Sequence, residues 1–383
     1  MKKTNITLMV FTLMSFVLVM TSSTFSGILD IVADSLNISV ADSGLLNTMY
    51  SYGAAFGMPI TLIMFRKIER VRMLKIMLMI TILMTVALVY AQSFGQLLAI
   101  RLIMGIAANS YGVLAISMVV SLSSRERQGR SMAFYLAGSA MALVVGIPLT
   151  RVLSAVFEWR TVFWILGIIM ILSLIYFAIF LPEGDHSSTK LELKKELQYF
   201  KDLRVLLIIA FTLFMFIGYN AFYTYITPYL LLLYPSLEAA MSVILILLGV
   251  ASFIGNLLGG YVSDHIGYAK SMLLGAVIQT ALILLILVFQ PVQWFSVLLA
   301  ILWIMSGWFT GLQLNTGIAQ VTENKSSFMI SINSSSLQLG SAIGSGLAAV
   351  VINLSGIQNI IIITLLASII ILLLQWISMK KYS

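Results

Sequence analysis

The sequence predicts an all-α membrane protein with twelve transmembrane helices in two six-helix halves. Three observations support this fold class: the composition is 60% hydrophobic and 9% charged, twelve apolar stretches follow one another, and glycines recur in the same member of each group of three. A helix needs roughly 17 to 25 residues to cross a bilayer, whereas a barrel strand is about half as long and alternates in polarity. The stretches cover residues 6–29, 43–65, 73–91, 95–121, 131–153, 161–181, 204–230, 239–262, 271–289, 294–318, 327–353 and 357–378.

The distribution of charge predicts the orientation of these helices. A net charge of +8 could also suit a nucleic-acid ligand, so the positions of the cations decide between the two interpretations. With the N-terminus in the cytoplasm, nearly all of the 22 Lys and Arg residues fall in cytoplasmic loops, whereas Asp30, Asp34 and Glu238 lie outside. We therefore expect a multi-pass protein of a bacterial plasma membrane with both termini in the cytoplasm, and no nucleic-acid partner.

The residue inventory argues against other classes of protein. The chain has no cysteine and only two histidines, so disulfides, thiol catalysis and Cys or His metal clusters are not expected. We expect no cofactor. A membrane enzyme would need paired acids, a nucleophile with its base, or metal ligands at depth, and the spans contain no such set. A membrane sensor would need a soluble domain, for which no segment is long enough.

One long polar stretch divides the chain. Residues 183–203 mix Lys, Glu and Leu at near-helical spacing, which predicts an amphipathic linker on the inner membrane surface. Residues 1–182 and 204–383 then form two halves with six spans each. Two matched halves are typical of proteins that alternate access around a site at the membrane midplane.

Each group of three spans has members of distinct composition. The middle spans carry small residues four apart, which share a helix face and let two backbones approach closely. The third spans are nearly all aliphatic, so we expect them to face lipid. The small residues of the middle spans are Gly53 and Gly57, Gly138, Ala142 and Gly146, Gly255 and Gly259, and Gly340, Gly344 and Ala348.

The first spans of the groups hold most of the deep polar and aromatic residues. Polar groups in hydrocarbon need internal partners or water, so we expect this set to line a central substrate cavity. For each aromatic residue, plain packing is an equally good interpretation. The candidate cavity residues are Ser22, Arg101, Asn109, Tyr219, Asn220, Tyr223, Trp308, Gln313 and Asn315.

Arg101 is the sharpest single candidate. A charge at membrane depth costs about 2.5 to 3.5 kcal/mol on insertion scales, so it needs a compensating role. Arg101 lies about two turns into its span, with Gly105, Asn109 and Gly112 on nearly the same face. One interpretation is a side chain that snorkels or bonds to backbone carbonyls; the other is a cation in the cavity that binds substrate or responds to occupancy.

Five short motifs follow one another along the chain. They are Arg101-Leu-Ile-Met-Gly105, Arg125-Glu-Arg-Gln-Gly-Arg130, Gly146-Ile-Pro148, Trp159-Arg-Thr-Val-Phe163 and Gly255-Asn-Leu-Leu-Gly259-Gly-Tyr-Val-Ser-Asp264-His-Ile-Gly267. Together they resemble the motifs of the major facilitator superfamily, and in particular those of its twelve-span drug and metabolite efflux antiporters, which include purine and sugar exporters. The resemblance covers nearly the whole chain, and the order of the motifs is more specific than any one of them.

This resemblance implies a monomeric secondary transporter that exports a small drug or metabolite by alternating access in exchange for protons, a class associated with drug resistance. A proton-independent facilitator or importer of a neutral or anionic metabolite stays open as the alternative. The resemblance also implies a set of gating or structural residues. They are Gly57, Arg130, Gly146, Pro148, Gly255, Gly259 and Asp264.

The departures from the family pattern bear on coupling and substrate. Arg66 stands where the family usually has an acid or a small residue, and Ser22 stands where related exporters often carry a glutamate. Because no Asp or Glu lies deep in a span, the remaining candidates for proton coupling are Asp30 and Asp34, near the outer end of the first span. Such a cavity favours a small neutral or weakly anionic, partly aromatic substrate.

Overall fold

The computed structural model describes residues 2–64, 68–123, 128–181, 196–322 and 326–382, and every regular element in these ranges is helical. Six long helices precede the linker. They are α1 (Lys2–Leu36), α2 (Val40–Met64), α3 (Arg70–Tyr90), α4 (Phe94–Ser121), α5 (Gln128–Val156) and α6 (Arg160–Phe180).

Six more long helices follow the linker. They are α7 (Leu203–Tyr223), α8 (Met241–Ile266), α9 (Tyr268–Phe289), α10 (Gln293–Val321), α11 (Ser327–Ser355) and α12 (Ile360–Tyr382). A short helix, Ile226–Leu233, and a 3-10 turn, Pro235–Ala240, connect α7 to α8.

The predicted fold class is confirmed. Eleven helices in the described ranges are long and apolar enough to cross a bilayer, and the remaining predicted span corresponds to the 25-residue helix α2. The predicted amphipathic linker, residues 183–203, lies outside the described residues as far as residue 195. Its described remainder contains the 3-10 helix Leu197–Lys201.

Polar residues define where several of these helices begin. Ser93 and Gln96 form a capping box at α4, in which the Ser93 hydroxyl accepts from the Gln96 amide and the Gln96 side chain accepts from the Ser93 amide. Asp202 caps α7 by accepting from the Arg204 amide at 2.9 Å. Gly267 has a φ of 82°, which lets the chain turn directly from α8 into α9.

Internal contacts divide the chain into two compact units. The first comprises Met1–Ile38 and Met49–Thr189, and the second comprises Ser39–Thr48 and Lys190–Ser383. The first unit packs α1 on α5 and α6, and α3 on α4 and α6; the second repeats this with α7 on α11 and α12, and α9 on α10 and α12. The domain boundaries predicted from sequence, 1–182, 183–203 and 204–383, remain a prediction.

The glycines of the middle helices lie directly against the backbone of a neighbouring helix, which is the close packing that their spacing predicted. A methyl group added to Gly138 of α5 would lie 2.1 Å from the carbonyl oxygen of Thr12 in α1. The same relation holds between α2 and α4, between α8 and α10, and between α11 and α7. The corresponding distances are 1.9 Å for Gly53 to Leu102, 2.1 Å for Gly255 to Met305 and 2.1 Å for Gly344 to Ile217.

We predict that Gly138→Leu lowers the free energy of unfolding by about 1 to 3 kcal/mol or more. The added side chain would overlap the backbone of α1, so α1 and α5 would have to move apart. Thermal unfolding of purified protein in detergent checks this. The matched control is Gly95→Leu, since Gly95 also lies in a long helix and a side chain there meets nothing within 4 Å. Equal unfolding temperatures for the two variants would contradict the packing role of Gly138.

Candidate functional site

Arg101 is fully buried in the first unit, where it joins α4 to α1. Its guanidinium donates from Nη1 to the Thr21 carbonyl at 2.7 Å and from Nη2 to the Ser22 carbonyl at 3.2 Å. The same group lies over the rings of Tyr50, at 4.4 Å, and Phe25, at 5.0 Å. Backbone carbonyls and aromatic faces both favour a cation away from water, so these contacts offset part of the cost of burying the charge.

The other candidates in the first unit are more accessible than Arg101. Ser22 and Asn109 are both half-buried. The Ser22 hydroxyl donates to the Val19 carbonyl at 2.9 Å, and the Asn109 amide donates to the Ala54 carbonyl at 3.0 Å. Among these three candidates, the Ser22 and Asn109 side chains are therefore more exposed than the guanidinium of Arg101.

A second buried arginine, Arg151, pairs with Asp30 between α5 and α1. Its two terminal nitrogens contact the two carboxylate oxygens at 3.0 Å each, and Nη1 also donates to the Gly27 carbonyl at 3.1 Å. Arg151 is 4% exposed, whereas the Asp30 side chain is 22% exposed. Arg151 is not among the candidates that the sequence predicts, so this bidentate pair is a functional candidate that only the structure reveals.

Both helices of this pair are irregular nearby. The backbone of α1 departs from helical geometry at Ile28, next to the Gly27 carbonyl that Arg151 contacts. In α5 the π-helical turn Ala142–Gly146 ends two residues before Pro148. Proline lacks an amide hydrogen and disturbs the preceding turn, and single π turns often mark functional positions. Asp34, the other acid proposed for coupling, is exposed near the end of α1.

The second unit holds a stack of aromatic rings between α7 and α10. Tyr219 lies between Trp303, at 5.3 Å, and Tyr223, at 5.2 Å, with the ring planes nearly parallel. The indole nitrogen of Trp308 donates to the Tyr219 hydroxyl at 3.0 Å. Tyr219 and Trp303 are buried, whereas Tyr223 and Trp308 are half-buried. The stack therefore has a buried inner part, Tyr219 and Trp303, and a half-buried edge formed by Tyr223 and Trp308.

Amide side chains of the same unit fall into two groups. Asn220 is half-buried one residue from Tyr219, and its amide donates to the Ser341 hydroxyl at 2.8 Å. Asn315 is exposed and accepts from Asn333 at 3.3 Å. Gln313 is fully buried and donates to the Gly259 carbonyl at 2.6 Å, so the structure places it in the contact between α10 and α8 rather than at an accessible surface.

Another close contact of the second unit involves Tyr225, just beyond α7. Its hydroxyl lies 3.1 Å from the Ala41 carbonyl and 3.3 Å from the Ser345 carbonyl. A methyl group at Gly44 would lie 2.0 Å from this hydroxyl. Thr48 and Ser345 share a hydrogen bond of 2.8 Å. Segment Ser39–Thr48 is thus fixed to the helices of the second unit at three points.

The motif residues predicted to gate or support the helices occupy different environments. Gly57 packs on α4, where an added methyl group would lie 2.6 Å from the Ile106 Cα. Gly259 packs on Phe309 of α10. Arg130 and Asp264 are exposed, at the start of α5 and near the end of α8 respectively. Within the described ranges, no group of three or more His, Cys, Asp or Glu side chains is placed to hold a metal ion.

Comparison with known proteins agrees with this architecture. The family model described as Major Facilitator Superfamily matches residues 11–251 and 236–381. The uncharacterized MFS-type transporter YbcL of Bacillus subtilis is 29% identical, over 88% of this chain and 86% of its own. A probable sugar efflux transporter of Helicobacter pylori is 24% identical, over 92% of this chain and 89% of its own.

Solved structures show the same fold at lower sequence identity. The D-xylose-proton symporter has a TM-score of 0.77 at 14% identity, covering 95% of this chain and 96% of its own. A bacterial homolog of the human lysosomal transporter Spinster has a TM-score of 0.74 at 15% identity, covering 99% and 98%. Because the family model matches nearly the entire sequence, the chain belongs to the major facilitator superfamily and is a membrane transporter rather than an enzyme.

Proposed function

We propose that this transporter exports a small uncharged organic solute, with a sugar as the first candidate, in exchange for protons. The substrate class is supported by half-buried aromatic and amide groups of the second unit: Tyr223 stacks on Tyr219, Trp308 donates to the Tyr219 hydroxyl, and Asn220 follows Tyr219 in α7. Aromatic rings pack against the C–H face of a sugar, and amide groups pair with its hydroxyls. The sugar efflux relative of Helicobacter pylori supports the same class.

The charges of the first unit support a neutral rather than a cationic substrate. Arg101 is buried there, and its contacts include two carbonyls and two aromatic rings, which leave its positive charge in place. A positive potential near the solute pathway repels organic cations. Ser22 and Asn109 would then supply hydroxyl and amide contacts to an uncharged molecule.

For coupling, we propose that Asp30 takes the proton. Protonation would remove one charge of the Asp30–Arg151 pair, and a buried arginine that loses its counterion is strongly destabilised. Arg151 also contacts the Gly27 carbonyl, next to Ile28, where α1 departs from helical geometry. A movement of Arg151 on protonation of Asp30 would therefore act on the backbone of α1 at this irregular turn. Arg130, Gly146, Pro148 and Asp264 would act with this pair in the conformational cycle.

From the charge distribution we propose that both termini lie in the cytoplasm of a bacterium. We also propose that the transporter acts as a monomer. A proton-independent facilitator remains the alternative, because the usual glutamate position holds Ser22. The two functions differ in one measurable respect, which is whether a pH gradient drives accumulation of the solute.

We predict that Trp308→Ala weakens sugar transport about tenfold in apparent affinity, because it removes the accessible ring edge and its hydrogen bond to Tyr219. Transport of a panel of labelled sugars into proteoliposomes measures this. Trp294→Ala is the matched control, since Trp294 begins the same helix and is 64% exposed. If both variants transport every sugar alike, the aromatic surface has no part in binding.

We predict that Asp30→Asn lowers the rate of proton flux driven by a sugar gradient by about tenfold or more. Exchange of labelled for unlabelled sugar should continue, because it needs no net proton movement. A pH-sensitive dye inside the vesicles reports the proton flux. Asp34→Asn serves as the control, because Asp34 is an exposed acid on the same helix. Normal proton flux in Asp30→Asn would remove Asp30 from the coupling mechanism.

We predict that Arg101→Lys lowers the free energy of unfolding by about 1.5 to 3 kcal/mol although the charge is kept. An ammonium group cannot reproduce the paired donation to the Thr21 and Ser22 carbonyls. Chemical unfolding in detergent, followed by tryptophan fluorescence, tests this beside Arg72→Lys, which changes an exposed arginine. A loss of stability in Arg72→Lys equal to that in Arg101→Lys would mean that the carbonyl contacts do not matter.

A further inference from the structure

A separate cavity lies in the second unit, among the first turns of α7 and α9 and the last turns of α12. Its volume is about 200 Å³, and it is distinct from the aromatic stack. The polar residues that line it are Arg204, Tyr268, Lys270, Gln375 and Ser378. The other six are aliphatic, aromatic or Met side chains, including Leu207 and Leu374. The cavity thus combines two cations with apolar walls.

The cations are held at the start of two neighbouring helices. Arg204 contacts both carboxylate oxygens of Asp202, with Nη2 2.7 Å from Oδ2 and Nε 3.2 Å from Oδ1. These hydrogen bonds from Arg204 lower the pKa of Asp202, so the acid stays ionised and fixes the guanidinium. Lys270 adds a second positive charge, which leaves the three groups with a net positive charge.

The walls of the cavity identify it as a site beside lipid. It is bordered by α9 and α12, whose exposed faces are aliphatic and include Leu274, Leu373 and Ile377. Lys380 lies over the ring of Trp376 at 5.2 Å, and Trp376 is 61% exposed. Tryptophan and lysine at a helix end are typical of the headgroup region, so this end of α12 marks the depth at which headgroups lie.

We propose that this cavity binds the headgroup of an anionic phospholipid of the cytoplasmic leaflet, with the acyl chains along the apolar sides of α9 and α12. Basic pockets between helices on the cytoplasmic side suit acidic lipid headgroups, because both the charge and the depth match. Gln375 closes the inner wall by donating to the Ala269 carbonyl at 2.8 Å, which joins α12 to the beginning of α9. The inference rests on the proposed membrane orientation but not on the substrate or the coupling ion.

Native mass spectrometry of the full-length protein, titrated with phosphatidylglycerol or phosphatidylcholine, tests the site without a transport assay. Lys270→Gln leaves the Arg204–Asp202 pair intact and should weaken phosphatidylglycerol binding about fivefold; Arg204→Gln with Lys270→Gln should weaken it about 30-fold. Binding of phosphatidylcholine should not change. Ser378→Trp keeps both cations but fills the cavity, so it should also displace the anionic lipid.

The matched control removes two cations outside the cavity, with Arg72→Gln and Lys201→Gln together. Both residues are exposed on the side assigned to the cytoplasm: Arg72 lies in the first turn of α3, and Lys201 lies just before α7. The proposal is overturned if this control weakens phosphatidylglycerol binding as much as the cavity variants do, or if both lipids bind equally. Displacement by millimolar inorganic phosphate alone would identify a phosphate site instead. Normal sugar transport with no selective lipid binding would reject this inference and leave the proposed function intact.

Discussion

The structure depends on one constraint, which is that hydrocarbon offers no partner to a polar group. Most polar atoms inside the helices are therefore expected to pair within the protein; among the described residues, the indole nitrogen of Trp303 and the side-chain oxygen of Gln313 are buried exceptions. Arg101 meets this constraint by donating to carbonyls of α1, and Arg151 by pairing with Asp30. Thr21 returns its hydroxyl to the Val17 carbonyl at 2.8 Å, and Gln313 donates to Gly259 of the adjacent helix. The same bonds that satisfy these groups also fix which helices pack together.

Close glycine packing sets the register that makes the bonds possible. Gly138 of α5 lies against Thr12 of α1, and the two helices run in the same direction in the proposed topology. Each residue of a helix adds about 1.5 Å along its axis. From the contact of Gly138 with Thr12, a similar distance along α5 and along α1 reaches Arg151 in one helix and Gly27 and Asp30 in the other, which are in contact. The close packing of α5 on α1 at Gly138 therefore aligns the two helices so that Arg151 and Asp30 can pair farther along them.

The sequence predicts the helical membrane fold and the small-residue contacts because both depend on local patterns, namely apolar length and four-residue spacing. It also offered backbone bonding as one of two interpretations of Arg101, and the observed contacts are of that kind. The role of Arg151 could not be predicted, because a charge at the end of a span is usually solvated and its partner lies 121 positions away in sequence. The environment of Gln313 likewise depends on the rotation of α10 about its axis, which composition does not determine. The division of the cavity candidates into buried and accessible residues needed the tertiary structure for the same reason.

The exchange of an uncharged solute for protons can be measured electrically. Exchange of a neutral sugar for one proton moves one net charge, so an imposed membrane potential without a pH gradient should drive transport. A potential of 100 mV is worth about 2.3 kcal/mol per charge, which supports a sugar gradient of about 50-fold. In proteoliposomes with a potassium diffusion potential, we expect sugar to accumulate on the side from which the protons leave. Transport that proceeds at the same rate at every potential and never exceeds equilibration would contradict exchange of the solute for protons.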